Sequence, residues 1–102
     1  MIHVVAVLTA KPGQRAALLE AFAANRAHVL AEQGCIEYFA TIDAAGLPQS
    51  KGSFGDDTFV VLEKWEDMAA FKAHGAAPHM AAFGAKTKEL VAGRMIHVLE
   101  AV

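Results

Sequence analysis

The sequence predicts an α+β domain made of two strand–helix–strand halves, and three observations predict it. Extended runs rich in Val, Ile, Leu and Phe stand near both ends of the chain and twice in its middle. Two stretches carry apolar residues at helical spacing, each lying between a pair of those runs. At 102 residues there is room for one hydrophobic core, so all the strands must share one sheet. The order strand, helix, strand, strand, helix, strand is that of a ferredoxin-like βαββαβ sandwich, expected as a single domain over residues 1–102.

Residues 2–9 are dominated by Val, Ile and Leu at strand length, and Lys11-Pro12-Gly13 ends the run, with proline admissible only in the first turn of a helix. Over 13–33, Leu18, Leu19, Phe22, Val29 and Leu30 recur on one helical face. Gln14, Arg15, Glu20, Asn25, Arg26 and Glu32 fall elsewhere, and Asn25, Arg26 and His28 on the polar side read as solvent-facing. Gly34 stands where a left-handed C-terminal cap belongs. A second strand is expected over 35–43 from Ile36, Tyr38, Phe39 and Ile42. The Gly, Pro and Ser of residues 44–57 mark a connection, and 58–65 is the third strand. Asp67 is placed to cap a short helix over 68–74, which Gly75 interrupts. Pro78 opens a further helical stretch to about residue 92, with Met80, Phe83, Thr87, Leu90 and Val91 inward. Gly93 is expected to close it before a last strand over 94–102.

Composition narrows the classes of function. Nine Lys plus Arg against eleven Asp plus Glu give a formal charge of −2 and no basic stripe, which argues against nucleic acid. No apolar run approaches the roughly 20 residues of a membrane helix, and the first ten residues lack a basic leader and a cleavage pattern. The single Cys35 forms no internal disulfide, which fits a reducing compartment, so a soluble, cytoplasmic protein is expected. The apolar fraction is 55%, part of it alanine, and several strands are apolar on both faces. One sheet with helices on one side leaves its other face bare, so two protomers are expected to pack those faces together as a dimeric α/β barrel.

Residues 59–83, FVVLEKWEDMAAFKAHGAAPHMAAF, hold the polar groups that need a reason to be there. Trp65 shares a strand face with Phe59, Val61 and Glu63, either as a core aromatic or as the wall of a site for a flat, partly polar molecule. Glu63 on that face requires a partner such as Arg26, Arg94 or a histidine, and serves either as a structural ion pair or as a base. His74, at the end of a short helix, is placed to exchange a proton or to meet the helix's negative end. His79, five positions later, does not share a face with it on a continuous helix and reads as a cap or rim residue. Since no third ligand accompanies these two histidines at suitable spacing, no metal is expected. Tyr38 offers a phenol to a bound oxygen or simply packs. His3 and His97 lie on neighbouring strands and are expected to meet across the ladder. Cys35 reads as a small buried residue without a basic partner.

The runs Glu32-Gln33-Gly34-Cys35-Ile36-Glu37-Tyr38 and Phe59 through Asp67, then Phe71-Lys72-Ala73-His74 with His79 and Phe83, resemble the antibiotic biosynthesis monooxygenase family over nearly the whole chain. The resemblance implies a dimeric α/β barrel. It also implies, in one branch, oxidation of quinols or anthrones by molecular oxygen with neither metal nor organic cofactor. Other branches isomerise small molecules, degrade haem or have no known activity, so fold carries over better than reaction. The haem-degrading branch is disfavoured, because strand one has no asparagine, His74 stands at the expected tryptophan and Gly84 near the expected histidine. In the quinol-oxidising branch, Trp65 and His74 match pocket residues. The expectation is a homodimeric, cofactor-free enzyme in which His74 is the base and Glu63 orients it. Trp65, Tyr38, His79 and Phe83 then contact a small aromatic substrate. The alternatives are an isomerase on the same scaffold and a non-catalytic ligand-binding dimer. The shape of the pocket is expected to depend on Phe39, Phe54, Phe59, Met68 and Phe83 and on the loop 50–55.

Overall fold

In the computed structural model, which describes residues 1–46, 48 and 51–102, the chain folds as β1 (Ile2–Ala10), α1 (Arg15–Leu30), β2 (Cys35–Thr41), β3 (Thr58–Trp65), α2 (Met68–Gly75), α3 (Pro78–Thr87) and β4 (Val91–Leu99). The four strands form one sheet in the order β2-β3-β1-β4, every neighbouring pair antiparallel. This is the expected ferredoxin-like α+β architecture.

Strand alternation divides the sheet residues into two sets. One set points under the helices and makes the core: Ile2, Val4 and Ala6 from β1, Phe59, Val61 and Trp65 from β3, and Tyr38 from β2, packed with Leu18, Phe22 and Val29 of α1. The other set, including His3, Val5, Val7, Leu62, Phe39, Met95 and Leu99, lies on the face that carries no helix. Thr9 and Thr58 share a 3.0 Å hydroxyl hydrogen bond there. α1 packs against β1, β2 and α3, while α2 lies on β3. β4 is uncovered on both sides, with Met95 60%, Ile96 51% and Leu99 47% exposed.

The last two elements depart from expectation. α3 ends at Thr87, a turn follows in which the Leu90 amide donates to the Thr87 carbonyl, and β4 begins at Val91. The Lys11 amide donates to the Leu90 carbonyl and pulls the segment onto the end of β1, where the register shifts between Thr9 and Ala10. Gly93 is therefore a ladder residue opposite Thr9 and closes no helix. His3 pairs with Leu99 and His97 with Val5, so the two histidines sit diagonally rather than face to face.

Gly34 has φ +84°, and a Cβ there would stand 2.5 Å from the Ala70 Cβ. The glycine thus supplies both the left-handed turn after α1 and the closeness of that turn to α2. Its carbonyl accepts from the Glu66 amide at 2.8 Å. Gly34→Ala is expected to destabilise by about 2–4 kcal/mol, combining left-handed strain of about 1–2 kcal/mol with overpacking. Gly13→Ala has similar strain, at φ +77°, but open space around it. Urea melts of both variants separate the terms, and equal losses would show that the contact with α2 costs nothing.

Candidate functional site

The sheet places Tyr38 and Glu63 directly opposite one another across β2 and β3, with Val4 on the other side of Glu63. Trp65, two residues on, is completely buried. Its indole Nε1 donates to Glu63 Oε1 at 2.9 Å. Asp67 caps α2 as expected, its Oδ1 accepting from the Ala70 amide at 2.8 Å. The cap fixes where α2 begins, and His74 then falls in its last turn, under the Trp65 ring at a centroid distance of 4.6 Å. The edge of the Tyr38 ring meets His74 at 5.6 Å, and the Tyr38 face stacks on Phe22 at 5.2 Å.

After Gly75 the chain turns: Ala77 is extended, as a residue before proline prefers, and Pro78 starts α3 in a new direction. This break brings His79 back toward His74 despite the five-residue spacing. Both meet Glu32, just beyond α1, whose Oε2 lies 2.8 Å from His74 Nδ1 and 3.0 Å from His79 Nε2. The expectation that no third ligand accompanies the two histidines fails, because one donor atom from each of Glu32, His74 and His79 lies within 4.8 Å of the others. The expectation that Glu63 orients His74 also fails, since Glu32 holds the ring and Trp65 holds Glu63. Arg26 is not purely solvent-facing either: its Nε donates to the Tyr38 carbonyl at 2.6 Å. His28 is exposed as expected and also stacks on His79 at 5.7 Å.

A cleft of about 530 Å³ opens between the sheet and α2/α3, toward the uncovered β4. Apolar walls come from Ala6, Phe22, Val61, Met80 and Phe83, while Tyr38, Glu63 and His74 bring polar atoms into it and Lys72 and Arg94 stand on its lining. No side-chain nitrogen or oxygen among the described residues is both buried and without a partner. Among the described residues the Tyr38 hydroxyl, His74 Nε2 and the second Glu63 oxygen have no hydrogen-bond partner, so each is reached by solvent, and all three residues line the cleft. Trp65 lies behind this wall, His79 opens on a separate groove beside Asn25 and His28, and Phe83 borders both spaces. Of the other aromatics and Met68 expected to shape the pocket, Phe59 is core and Phe39, Phe54 and Met68 are exposed outside it. Ser50 of the loop 50–55 lies outside the described residues.

The electrostatics give the groups different tasks. Burial pushes the Glu63 carboxyl above the usual range, against the lowering effect of the Trp65 N–H and His74, with the Glu32 charge adding to the rise. Burial first, then Glu63 and Glu32, pushes the Tyr38 phenol upward, so it enters the cleft as a neutral donor. Cys35 is also raised, by burial and by Glu32, which leaves it a thiol rather than a nucleophile.

The raised Glu63 carries a stability consequence. Its folded-state value exceeds the unfolded one, so its contribution is fully present below the unfolded value and is lost as pH rises through the folded one. Glu63→Gln keeps an acceptor for Trp65 without the charge. It is expected to melt a few degrees above wild type at pH 8, with the gap closing toward pH 4 in calorimetry; a gap that does not move with pH would contradict a buried, ionising Glu63.

Glu32 escaped the sequence reading because helical periodicity placed it on the polar side. A signal existed: a carboxylate beside the negative end of a helix is unfavourable unless cations or donors meet it.

Residues 1–86 match the family described as antibiotic biosynthesis monooxygenase. The chain is 38% identical over 103 residues to the protein named "Probable quinol monooxygenase YgiN" of Escherichia coli K12, covering 98% of this chain and 97% of that one. Among solved structures it is similar to PA3566 from Pseudomonas aeruginosa, with a TM-score of 0.81 and 27% identity over 99% of this chain and 93% of that one. It is also similar to NE2512 from Nitrosomonas europaea, a protein of unknown function, with a TM-score of 0.78 and 29% identity over 99% and 88%. With the family matched across most of its length and a relative matched from end to end, the chain belongs to the antibiotic biosynthesis monooxygenase family.

Proposed function

We propose that the protein is a monooxygenase that oxidises an electron-rich aromatic, a hydroquinone or an anthrone, with molecular oxygen and without a metal or organic cofactor in the chemical step. The observation that carries this is the convergence of His74 Nε2, the Tyr38 hydroxyl and Glu63 on one apolar cleft of a size suited to a few fused rings. The similarity to the protein named "Probable quinol monooxygenase YgiN" supports the same class.

His74 Nε2 accepts the substrate proton while Glu32 holds the Nδ1 edge and stabilises the imidazolium, which sets ring orientation and charge together. The Tyr38 phenol donates to the substrate oxygen, and the cationic Lys72 and Arg94 favour the resulting anion. That anion passes one electron to oxygen, and the radical pair combines into a peroxide on a carbon that still bears hydrogen; the His74 imidazolium returns its proton to the outer oxygen, giving C–OOH. Glu63 takes the remaining hydrogen as a proton, the C–H bonding pair moves into C=O and breaks O–O, and Glu63 passes the proton to the leaving hydroxide, which departs as water. One oxygen atom ends in the product, and all four electrons come from the substrate.

The protein is further read as a cytoplasmic homodimer, supported by the apolar residues Val5, Leu62, Phe39, Met95 and Leu99 on the helix-free face of the sheet. No helix among the described residues is long and apolar enough to cross a membrane. Oxygen uptake by metal-stripped protein, with hydroquinones and anthrones as substrates, tests the activity, and light scattering on the same sample tests the dimer. Uptake above autoxidation is expected, at twice the 10.8 kDa chain mass. Saturable binding without uptake would transfer the assignment to a ligand-binding protein, turnover without oxygen to an isomerase, and a monomer mass would remove the dimer.

A further inference from the structure

We propose that Glu32, His74 and His79 form a binding site for a zinc-class divalent cation. Their donor atoms lie within 4.8 Å of one another, and Glu32 Oε2 is already 2.8 Å from His74 Nδ1 and 3.0 Å from His79 Nε2. Two donors bound to one zinc at about 2.0–2.2 Å in tetrahedral geometry stand roughly 3.3–3.5 Å apart, so the two pairs at Glu32 open by some tenths of an ångström and the two imidazole nitrogens, within 4.8 Å of one another, close by up to about an ångström. Two imidazoles with one carboxylate are a zinc-type set with a fourth position left for water. Magnesium and calcium prefer oxygen ligands, which the cluster supplies from one residue only.

The three groups come from different parts of the fold. Glu32 follows α1, His74 ends α2 and His79 lies in the first turn of α3, at sequence separations of 42 and 47 residues from Glu32. The folded chain therefore presents the site ready-made, and an ion would tie the three helices together. An entry path exists, because His79 opens on the groove beside Asn25 and His28. His28, stacked on His79 at 5.7 Å, is the nearest further imidazole. The hydrogen bonds to Glu32 need protons on His74 Nδ1 and His79 Nε2; a cation takes their place, and in each neutral ring the single proton moves to the other nitrogen.

The ion would sit on the Nδ1 edge of His74, away from the cleft, since neither Glu32 nor His79 lines that cleft. It would not touch substrate, but with an ion on Nδ1 the His74 proton sits on Nε2, so the ion-bound form lacks the free base of the proposed oxidation; the site is therefore read by metal binding and melting, which do not depend on turnover.

Cobalt(II) titration of the untagged, chelator-stripped protein tests the site. A one-to-one complex with visible d–d bands, displaced by zinc, is expected. Glu32→Gln and His79→Ala should each weaken it by more than the roughly 10–100-fold that loss of an outer partner costs, with melting curves confirming that both fold. His97→Ala should bind as wild type. Zinc should raise the melting temperature of wild type but not of His79→Ala. Absence of a complex at millimolar cobalt, a complex retained in His79→Ala, or one lost in His97→Ala would overturn the proposal.

Discussion

His74→Ala is expected to lower kcat for oxidation of a hydroquinone or anthrone by about 100- to 10,000-fold, with little change in KM, because general base catalysis typically contributes that much. Among the described residues His74 is the one histidine lining the cleft, its Nε2 is uncommitted, and its ring is held by Glu32 at 2.8 Å and covered by Trp65. Alanine at this buried position also leaves a void, so a second variant separates chemistry from packing. His74→Asn places an amide near the Nδ1 position, where it still donates to Glu32, but has nothing at Nε2. It is expected to be as slow as His74→Ala while melting close to wild type. Glu32→Gln should fall between, since an amide orients the ring but does not stabilise its positive charge. Oxygen-uptake kinetics on the three variants decide the matter: turnover unchanged in His74→Asn would remove His74 as the base.

The sequence carried the fold where local chemistry is decisive and lost it where tertiary pairing wins. Strand β3 runs over the expected 58–65, Asp67 caps α2 and Pro78 starts α3, because a cap, a proline and a β-branched run each act within a few residues. The α3 end was misread because Leu90 and Val91 fit a helical stripe as well as a strand, and Lys11 settles the choice from 79 positions away by bonding the Leu90 carbonyl. The site followed the same division. Tyr38, Glu63, Trp65 and His74 were visible as polar or aromatic groups on apolar faces. Their pairing was not, because Glu32 reaches His74 and His79 only once α1 and α2 have packed and the chain has turned at Ala77. A histidine pair five apart looks unrelated on a helix, and only the break between α2 and α3 makes it a cluster.

Trp65→Ala is expected to cost about 3–5 kcal/mol, a large share of the roughly 5–15 kcal/mol that stabilises a domain. The indole is wholly buried between Phe71, His74 and the sheet, so truncation leaves a large void in the core. Trp65→Phe is the sharper experiment, because it keeps most of the packing and removes the one hydrogen bond that favours ionised Glu63. Losing a donor to a buried group costs about 1–3 kcal/mol, and the lost interaction is the one made with the charge. Without it the Glu63 carboxyl rises further above its unfolded value, so the stability deficit of Trp65→Phe relative to wild type should grow with pH and shrink below the usual carboxylate range. Combining it with Glu63→Gln removes the charge that needed the indole, and the two effects should then fail to add by a coupling of about 0.5–3 kcal/mol at neutral pH. Additive losses at every pH would mean that Trp65 acts through packing alone and that the raised Glu63 is set by burial without its help.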